Sequence, residues 1–325
     1  DSAGLTPEQW LTQSYRQREG TAALVWREGG WQARGGINLI ELGEEFGSAD
    51  YFSRQTLAAA SSRIRKQAAF VSAEMPLGAG RLELGLRRDL QRYLSSRVFD
   101  AGPPPQETQG GGIVKSANSP KVALAWPLGN DYRLRASAGT GFSPPQASQL
   151  YNGYAGAGSV TLANPALQPE RSTSADLALS RSNGNGDEWS LTLFATRWQD
   201  KIATRIVSYA TPVVQQPQNV GEVAAHGIEA QWSQRLDGWS VSANYTYSRN
   251  RIVRDLANPQ LAGHELPDMP RHKANLALAY EPGGDFAARA KLRAIGSAYT
   301  DDANTVVDAR GYRWKKAAYA VLDLA

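Results

Sequence analysis

The sequence predicts an all-β protein, an antiparallel transmembrane β-barrel, and three observations predict it. Apolar and polar residues alternate in runs of about ten. Short Gly-, Asn-, Asp- and Pro-rich turns alternate with much longer connections, and aromatic side chains gather beside the short turns.

The alternation comes first. Tyr132, Leu134, Ala136 and Ala138 share one face, with Arg133, Arg135 and Ser137 on the other. Phe286, Ala288, Ala290, Leu292 and Ala294 alternate with Arg289, Lys291 and Arg293. The same pattern runs through Leu82–Leu86, Val122–Trp126, Trp189–Ala195, Trp239–Tyr247 and Ala274–Tyr280. Side chains of a strand point to opposite faces in turn, so a period of two means strand and not helix. Runs of about ten exceed the usual globular strand and match a tilted strand crossing a bilayer. Counting them gives about fourteen strands.

The connections agree. Short turns stand at Arg27–Gly30, Pro76–Gly80, Pro127–Asp131 (with Asn130), Asn183–Asp187 (with Asn185), Leu236–Gly238 and Glu281–Asp285 (with Gly284). These residues accept the dihedral angles of tight hairpins. Between them lie longer connections, roughly 41–65, 91–120, 142–172, 199–225, 250–271 and 297–316. The segment Leu57–Ala69 is read as loop plus the beginning of a strand. In outer-membrane barrels the short turns are periplasmic and the long loops extracellular. Trp26 and Trp31 bracket the first turn, Trp126 and Tyr132 the third, Tyr280 and Phe286 the last, while Trp189 and Trp239 directly follow turns. An amphipathic ring belongs where one side is apolar and the other wet, at a membrane interface.

Composition narrows the function classes. The 325 residues are 42% hydrophobic and 20% charged, with 35 basic against 31 acidic residues and no cysteine. Disulfide frameworks, zinc–thiolate sites and cysteine nucleophiles are excluded. Charge is spread along the chain without a basic block, which argues against nucleic acid as a partner. No apolar run reaches the roughly 18 residues of a membrane helix, but a barrel shows lipid only alternate residues and keeps a modest average. Asp1–Gly4 carries no secretion signal. The three histidines, His226, His264 and His272, and the acidic pairs Glu44–Glu45 and Asp301–Asp302 complete no catalytic motif, so no enzyme, cofactor or metal site is expected. A metal held by His264 and loop carboxylates is the less favoured alternative. Arg133, Arg135, Arg289, Lys291 and Arg293, with Asp176 and Glu229 as opposite charges, mark the polar face, which in a barrel is the lumen.

The stretch Gly139-Thr140-Gly141-Phe142-Ser143-Pro144-Pro145, then Leu150-Tyr151, then Asn164-Pro165-Ala166-Leu167-Gln168-Pro169-Glu170 resembles, in order and spacing, a hallmark of TonB-dependent outer-membrane receptors. Asn219-Val220-Gly221 leading to Gly227-Ile228-Glu229, the strand Asn244–Tyr247, Leu266-Pro267 with Pro270-Arg271-His272, and Tyr319–Leu324 resemble further strand entries of that family. The resemblance covers about residues 130–325; residues 1–129 share only general barrel character. It implies an outer-membrane location in a Gram-negative bacterium. It also implies TonB-dependent import of a scarce bulky nutrient, most often a ferric siderophore, with cobalamin, haem or another metal chelate as alternatives. A passive porin-type channel is the rival from another class. The implied partners are the inner-membrane TonB system, a plug domain in the lumen, outer-membrane lipid and the chelate cargo. Such barrels have roughly 22 strands. Residues 1–325 are therefore expected to be one barrel domain incomplete at both ends, without its plug. For cargo contact the loop residues Tyr151, Asn152, Tyr154, Arg205 and Tyr209 are the candidates, since they combine aromatic and basic or polar groups.

Overall fold

The computed structural model describes residues 9–325 except 51–52, 102–104, 130, 152, 157–158, 185 and 284–285. The chain runs β1 (Gln9–Glu28), β2 (Trp31–Asp50), β3 (Thr56–Leu77), β4 (Gly80–Asp100), β5 (Gln106–Gly110), β6 (Val114–Gly129) and β7 (Tyr132–Ser143). A helix α1 (Ala147–Tyr151) and two short strands β8 (Tyr154–Gly156) and β9 (Ser159–Thr161) follow. Then come β10 (Glu170–Ser182), β11 (Glu188–Ser208), β12 (Val213–Leu236), β13 (Trp239–Asp255), β14 (His272–Tyr280) and β15 (Ala288–Ile295). The small pair β16 (Ala298–Tyr299) and β17 (Lys315–Lys316) precedes β18 (Tyr319–Leu324).

Thirteen of these form one meander in the order β1-β2-β3-β4-β6-β7-β10-β11-β12-β13-β14-β15-β18. That is close to the fourteen expected. Among the described residues β1 and β18 each pair on one side only, so the sheet is open with two edges. Two-residue turns at Gly29–Gly30 and Asp237–Gly238 close hairpins whose last ladder pairs are Glu28–Trp31 and Leu236–Trp239. Positive φ at Gly29 (54°) and Gly30 (83°) suits a hairpin turn matched to strand twist. The turn residues Asn130, Asn185, Gly284 and Asp285 lie outside the described residues.

The register fixes both faces. Directly paired residues point the same way. One continuous row therefore runs Leu24, Gly35, Val71, Leu86, Pro120. Another runs Ala136, Leu177, Leu193, Ile228, Tyr247. This apolar face carries exposed Leu24, Val71, Leu84, Leu86, Leu177, Leu191, Leu193, Ile228 and Leu276. Contiguous exposed apolar surface on this scale is what lipid covers. Trp26, Trp126, Tyr132, Trp189, Trp232, Trp239 and Tyr280 lie on the same face beside the short turns. Tyr132 meets Trp189 edge-on at 5.9 Å, and Trp239 meets Tyr280 at 4.4 Å. The opposite, luminal face holds Arg133, Arg135, Lys291, Arg293, Asp176 and Glu229. Its charges are partly neutralised within the wall, as in Lys121–Glu83 (2.7 Å) and Arg87–Asp89 (2.9 Å).

The structure corrects the loop boundaries. The span 41–65 is not a loop but the continuation of β2 and β3, joined over residues 51–55, and Leu57–Ala69 is strand throughout. Residues 199–225 are likewise mostly β11 and β12, with only 209–212 outside them. Strands of 20 to 24 residues thus project far beyond the bilayer. The physical reason is that the backbone ladder needs no lipid: hairpin pairing continues in water wherever neighbouring strands remain in register.

Candidate functional site at the long-loop end

Beyond the lipid-facing band the apolar residues change sides. On β3 the apolar outward residues Val71, Ala73 and Met75 give way to the inward, buried Ala68 and Ile64. On β4 the phase passes from Leu82, Leu84 and Leu86 to inward Tyr93, 1% exposed. On β13 it passes from Val241 and Tyr245 to Ile252. The upper half of the wall is packed from within by connections that fold back into it.

The first such connection joins β7 to β10. Two prolines after β7 stop the ladder, and Pro145 accepts a hydrogen bond from the Tyr93 hydroxyl, which in turn accepts one from Gln91 Nε2 (2.7 Å). Helix α1 then sets Ala147 and Leu150 against Ile64, Tyr93 and Leu167. Tyr151 is half-buried: its ring lies on Gly110, leaving no room for a Cβ there, and meets Tyr93 edge-on at 6.2 Å. Its hydroxyl accepts the Ile113 N–H (3.1 Å), and burial pushes its pKa above the ordinary phenol value.

The Asn164–Glu170 motif is the clasp of this connection. Asn164 Nδ2 donates to the Pro217 carbonyl (2.8 Å) and its Oδ1 accepts the Ala166 N–H (3.1 Å). Leu167 is fully buried and Pro169 is buried behind it. Asn219 accepts the Gln168 N–H (2.8 Å) and donates to the carbonyls of Gln168 (2.9 Å) and Asp200 (2.6 Å). Glu170 accepts the Ile202 N–H (2.7 Å). Pro165 forms the turn between these contacts. Gly139 and Gly141 lie in β7 opposite Ser174 and Ser172, and Phe142 is paired with Arg171. Gly227 faces the Phe194 ring, and a Cβ there would stand 2.0 Å from the Tyr247 carbonyl. Glu229 lies between Thr192 and Thr246 on the luminal face. His272 opens β14 after Pro270 and meets the Tyr245 hydroxyl through Nδ1 (2.8 Å).

The second group of connections interlocks through polar contacts. Arg205 pairs with the buried Asp255 and reaches Asp302 at 3.9 Å. It thereby ties β11, β13 and the segment before β17. Asn304 and Glu265 exchange two hydrogen bonds (2.7 and 2.8 Å), and His264 Nδ1 lies 3.0 Å from the Asp302 carbonyl. Among the described residues no cluster of three metal-ligating side chains occurs, His264 included. Leu261 and Leu266 fold inward onto Val223, Ile252 and Trp198.

The five cargo candidates are not brought together. Tyr151 ends α1 within the β7–β10 connection, Arg205 is bound in its acidic pair, and Tyr209 is 82% exposed just beyond β11. Tyr154 begins β8, pairing through its backbone with Thr161. Asn152 lies outside the described residues. A cavity of about 460 Å³ opens beside α1, lined by Glu44, Lys66, Gln91, Ser143 and Gln146, within the size range of small-molecule sites. A larger one of about 660 Å³ lies at the short-turn end between β12 and β18, far from the connections, lined by Arg289, Lys291 and Asp323. Sequence reasoning missed Tyr93 and Asp255, and it named Asn219 as part of a strand entry without its role in the clasp. The Tyr93 signal is legible as a phase change in the alternation, because Tyr93 is out of step with Leu82–Leu86.

Residues 3–325 match the family described as TonB dependent receptor-like, beta-barrel. An iron-regulated outer membrane virulence protein of Vibrio cholerae is 29% identical over 177 residues, covering 50% of this chain and 26% of that protein. An uncharacterized TonB-dependent receptor of Haemophilus influenzae is 34% identical over 87 residues, 25% of each chain. The fold is that of the ferric yersiniabactin uptake receptor FyuA from Yersinia pestis (TM-score 0.71, 17% identity, 97% of this chain and 47% of that one). The ferric citrate transporter FecA in the unliganded form is similar to the same degree (TM-score 0.73, 17% identity, 97% and 47%). The chain thus spans about a quarter of the curated relatives it matches and about half of the solved receptors.

Proposed function

The chain belongs to the TonB-dependent receptor family, and from that premise we propose that it forms the wall of a receptor importing a ferric siderophore. Members of the family are outer-membrane proteins of Gram-negative bacteria and are transport receptors, not enzymes. The observation that carries the cargo reading is the iron-regulated relative together with ferric-chelate receptors of the same fold. The inward-folded β7–β10 connection is consistent with it, since it packs Ala147, Leu150 and Leu167 on the inner face at the long-loop end, where cargo would enter. In this reading residues 1–325 are one barrel domain whose edges, β1 and β18, are paired by further strands, because an open edge is untenable in lipid. A plug fills the lumen, and the TonB system of the inner membrane acts on that plug. Tyr209, exposed beyond β11, meets cargo directly. Tyr151 and Arg205 hold the long-loop end in place through the Ile113 and Asp255 contacts, and with Asn152 and Tyr154 they are the other residues proposed for cargo contact.

The test is growth of a deletion strain on a panel of ferric siderophores, haem and cobalamin, followed by binding of the responding cargo to the purified full-length receptor. Loss of growth on one ferric siderophore, with Tyr209→Ala weakening its binding about 5- to 30-fold, is the expected result. Unchanged growth on every siderophore removes that cargo and leaves haem or cobalamin. An ungated, cargo-independent conductance of the full-length protein would point to a diffusion channel instead.

A further inference from the structure

We propose that the outer surface of β1–β4, just above the lipid-facing band, is a binding site for phosphate-bearing lipid headgroups. The register makes the case. Arg18, Glu41, Arg65 and Arg92 form one row of direct partners across four strands. Arg16, Gly43 and Arg63 form the row above. Arg88 stands four residues below Arg92 on the same face of β4, in the row of Ala22, Ile37 and Ala69. The residues between them on β3 and β4, namely Ile64, Gln91 and Tyr93, are buried on the inner side, so these arginines project outward. All six are exposed.

Height is set by chain length. Arg18 lies ten residues from Glu28 at the end of β1, and Arg92 lies twelve residues from Gly80 at the start of β4. A strand crosses the hydrocarbon in about 9–11 residues, so the rows stand where headgroups begin. Arg88, lower down, can extend its stem along the apolar band and its guanidinium upward.

The charge is unbalanced. Six arginines face two glutamates, Glu41 and Glu45, on this surface. Arg65 is paired with Glu41 (2.6 Å) and Arg88 donates to Asn118 (2.9 Å). Among the described residues Arg16, Arg18, Arg63 and Arg92 form no ion pair. Elsewhere at this height the outward cations are single or engaged: Arg197 pairs with Glu222, and Arg249 and Arg251 are half-buried. Neighbouring strands are about 4.8 Å apart, so a row of four spans roughly 14 Å, the scale of one phosphorylated headgroup. The planar guanidinium fork binds phosphate through paired hydrogen bonds.

The experiment uses the full-length receptor in nanodiscs of phosphatidylcholine with and without phosphatidic acid. Lipid retained after delipidating washes is counted by native mass spectrometry. The wild type is expected to keep phosphatidic acid in preference to phosphatidylcholine, and the Arg16→Gln/Arg18→Gln/Arg63→Gln/Arg92→Gln variant to lose that preference by about tenfold or more. A control removing equal charge from the lumen (Arg133, Arg135, Lys291 and Arg293 to Gln) should keep it. The milder Arg18→Gln/Arg92→Gln variant should lose part of it and serves if the fourfold variant fails to assemble. Retention unchanged in the outer variants, or lost equally in the luminal control, overturns the site. Full displacement by inorganic phosphate at matched concentration would also overturn it, by making the ligand a free anion.

Discussion

The lower and upper halves of the same strands face two different solvents, and they solve opposite problems with one backbone. Below, lipid surrounds the wall and the apolar face turns outward: Leu177, Leu191 and Leu193 are exposed, while the inner face carries Asp176, Thr192 and Arg135. Above, water surrounds it and the apolar face turns inward: Ile64, Tyr93, Leu167 and Ile252 are buried, and Arg63, Arg65 and Arg92 stand outside. A strand has two faces, so the inversion needs only a change of phase in the alternation. The ladder runs unbroken from Val71–Leu86 to Ile64–Tyr93 and from Ile228–Tyr247 to Val223–Ile252, so it is the apolar residues that change face, and the register breaks at Arg63/Ile64 and Glu222/Val223 lie just beyond.

The largest expected effect lies in the upper half. Leu167→Ala removes a fully buried side chain from the cluster that seats α1 on Ile64 and Tyr93. Closely packed surroundings relax only in part, so the local cost should be about 2–5 kcal/mol. Leu193→Ala, on the outward face, should cost less because lipid chains fill the space. Hydrogen exchange across 144–169 in the full-length receptor checks this, and equal effects of the two substitutions would break the contrast.

The next effect tests the lower half. Leu193 lies five residues from the start of β11, near the middle of the band. Leu193→Arg should destabilise the folded barrel by about 2–4 kcal/mol, as a charge near the bilayer midplane does. Its neighbour Thr192 faces the interior beside Glu229, and Thr192→Arg should be close to neutral. Urea titration of the reconstituted protein, with folding read from heat-modifiable mobility, separates them. If both positions tolerate arginine, the face assignment fails.

These halves also differ in how far the sequence disclosed them. The lower half was legible because lipid imposes a strict period of two, with aromatic side chains at most of the short turns marking its edge. The family motif was legible too, but as a pattern without a role: nothing in Asn164-Pro165-Ala166-Leu167 alone says that Asn164 reaches the Pro217 carbonyl, 53 residues away. The clasp depends on contacts between connections that are distant in sequence, as does the Arg205–Asp255 pair. The long connections were overestimated because polar, weakly alternating residues such as Glu44, Glu45, Ser61 and Ser62 read as loop. In the structure they pair across β2 and β3, where water on both sides removes the demand for alternation.

The smallest effect belongs to the connection before β17, where a single half-buried carboxylate organises a turn. Asp308 accepts hydrogen bonds from the Trp314 indole N–H (3.1 Å) and from the backbone N–H groups of Tyr312 and Arg310 (both 2.9 Å). The indole hydrogen bond foremost, then those backbone donors, hold its pKa below the ordinary carboxylate value. A depressed folded pKa means that the ionised form is favoured in the ordered turn. Its stabilisation is therefore present above the ordinary aspartate value and is lost as pH falls through the lower folded one. Amides of Tyr312 and Arg310 should then exchange faster at about pH 3 than at neutral pH, after correction for intrinsic rates. Asp308→Asn should abolish that pH dependence while leaving the β13–β14 and β14–β15 ladders protected. An unchanged profile in the variant would place the turn's order in the Val307–Arg313 backbone bridge instead of the carboxylate.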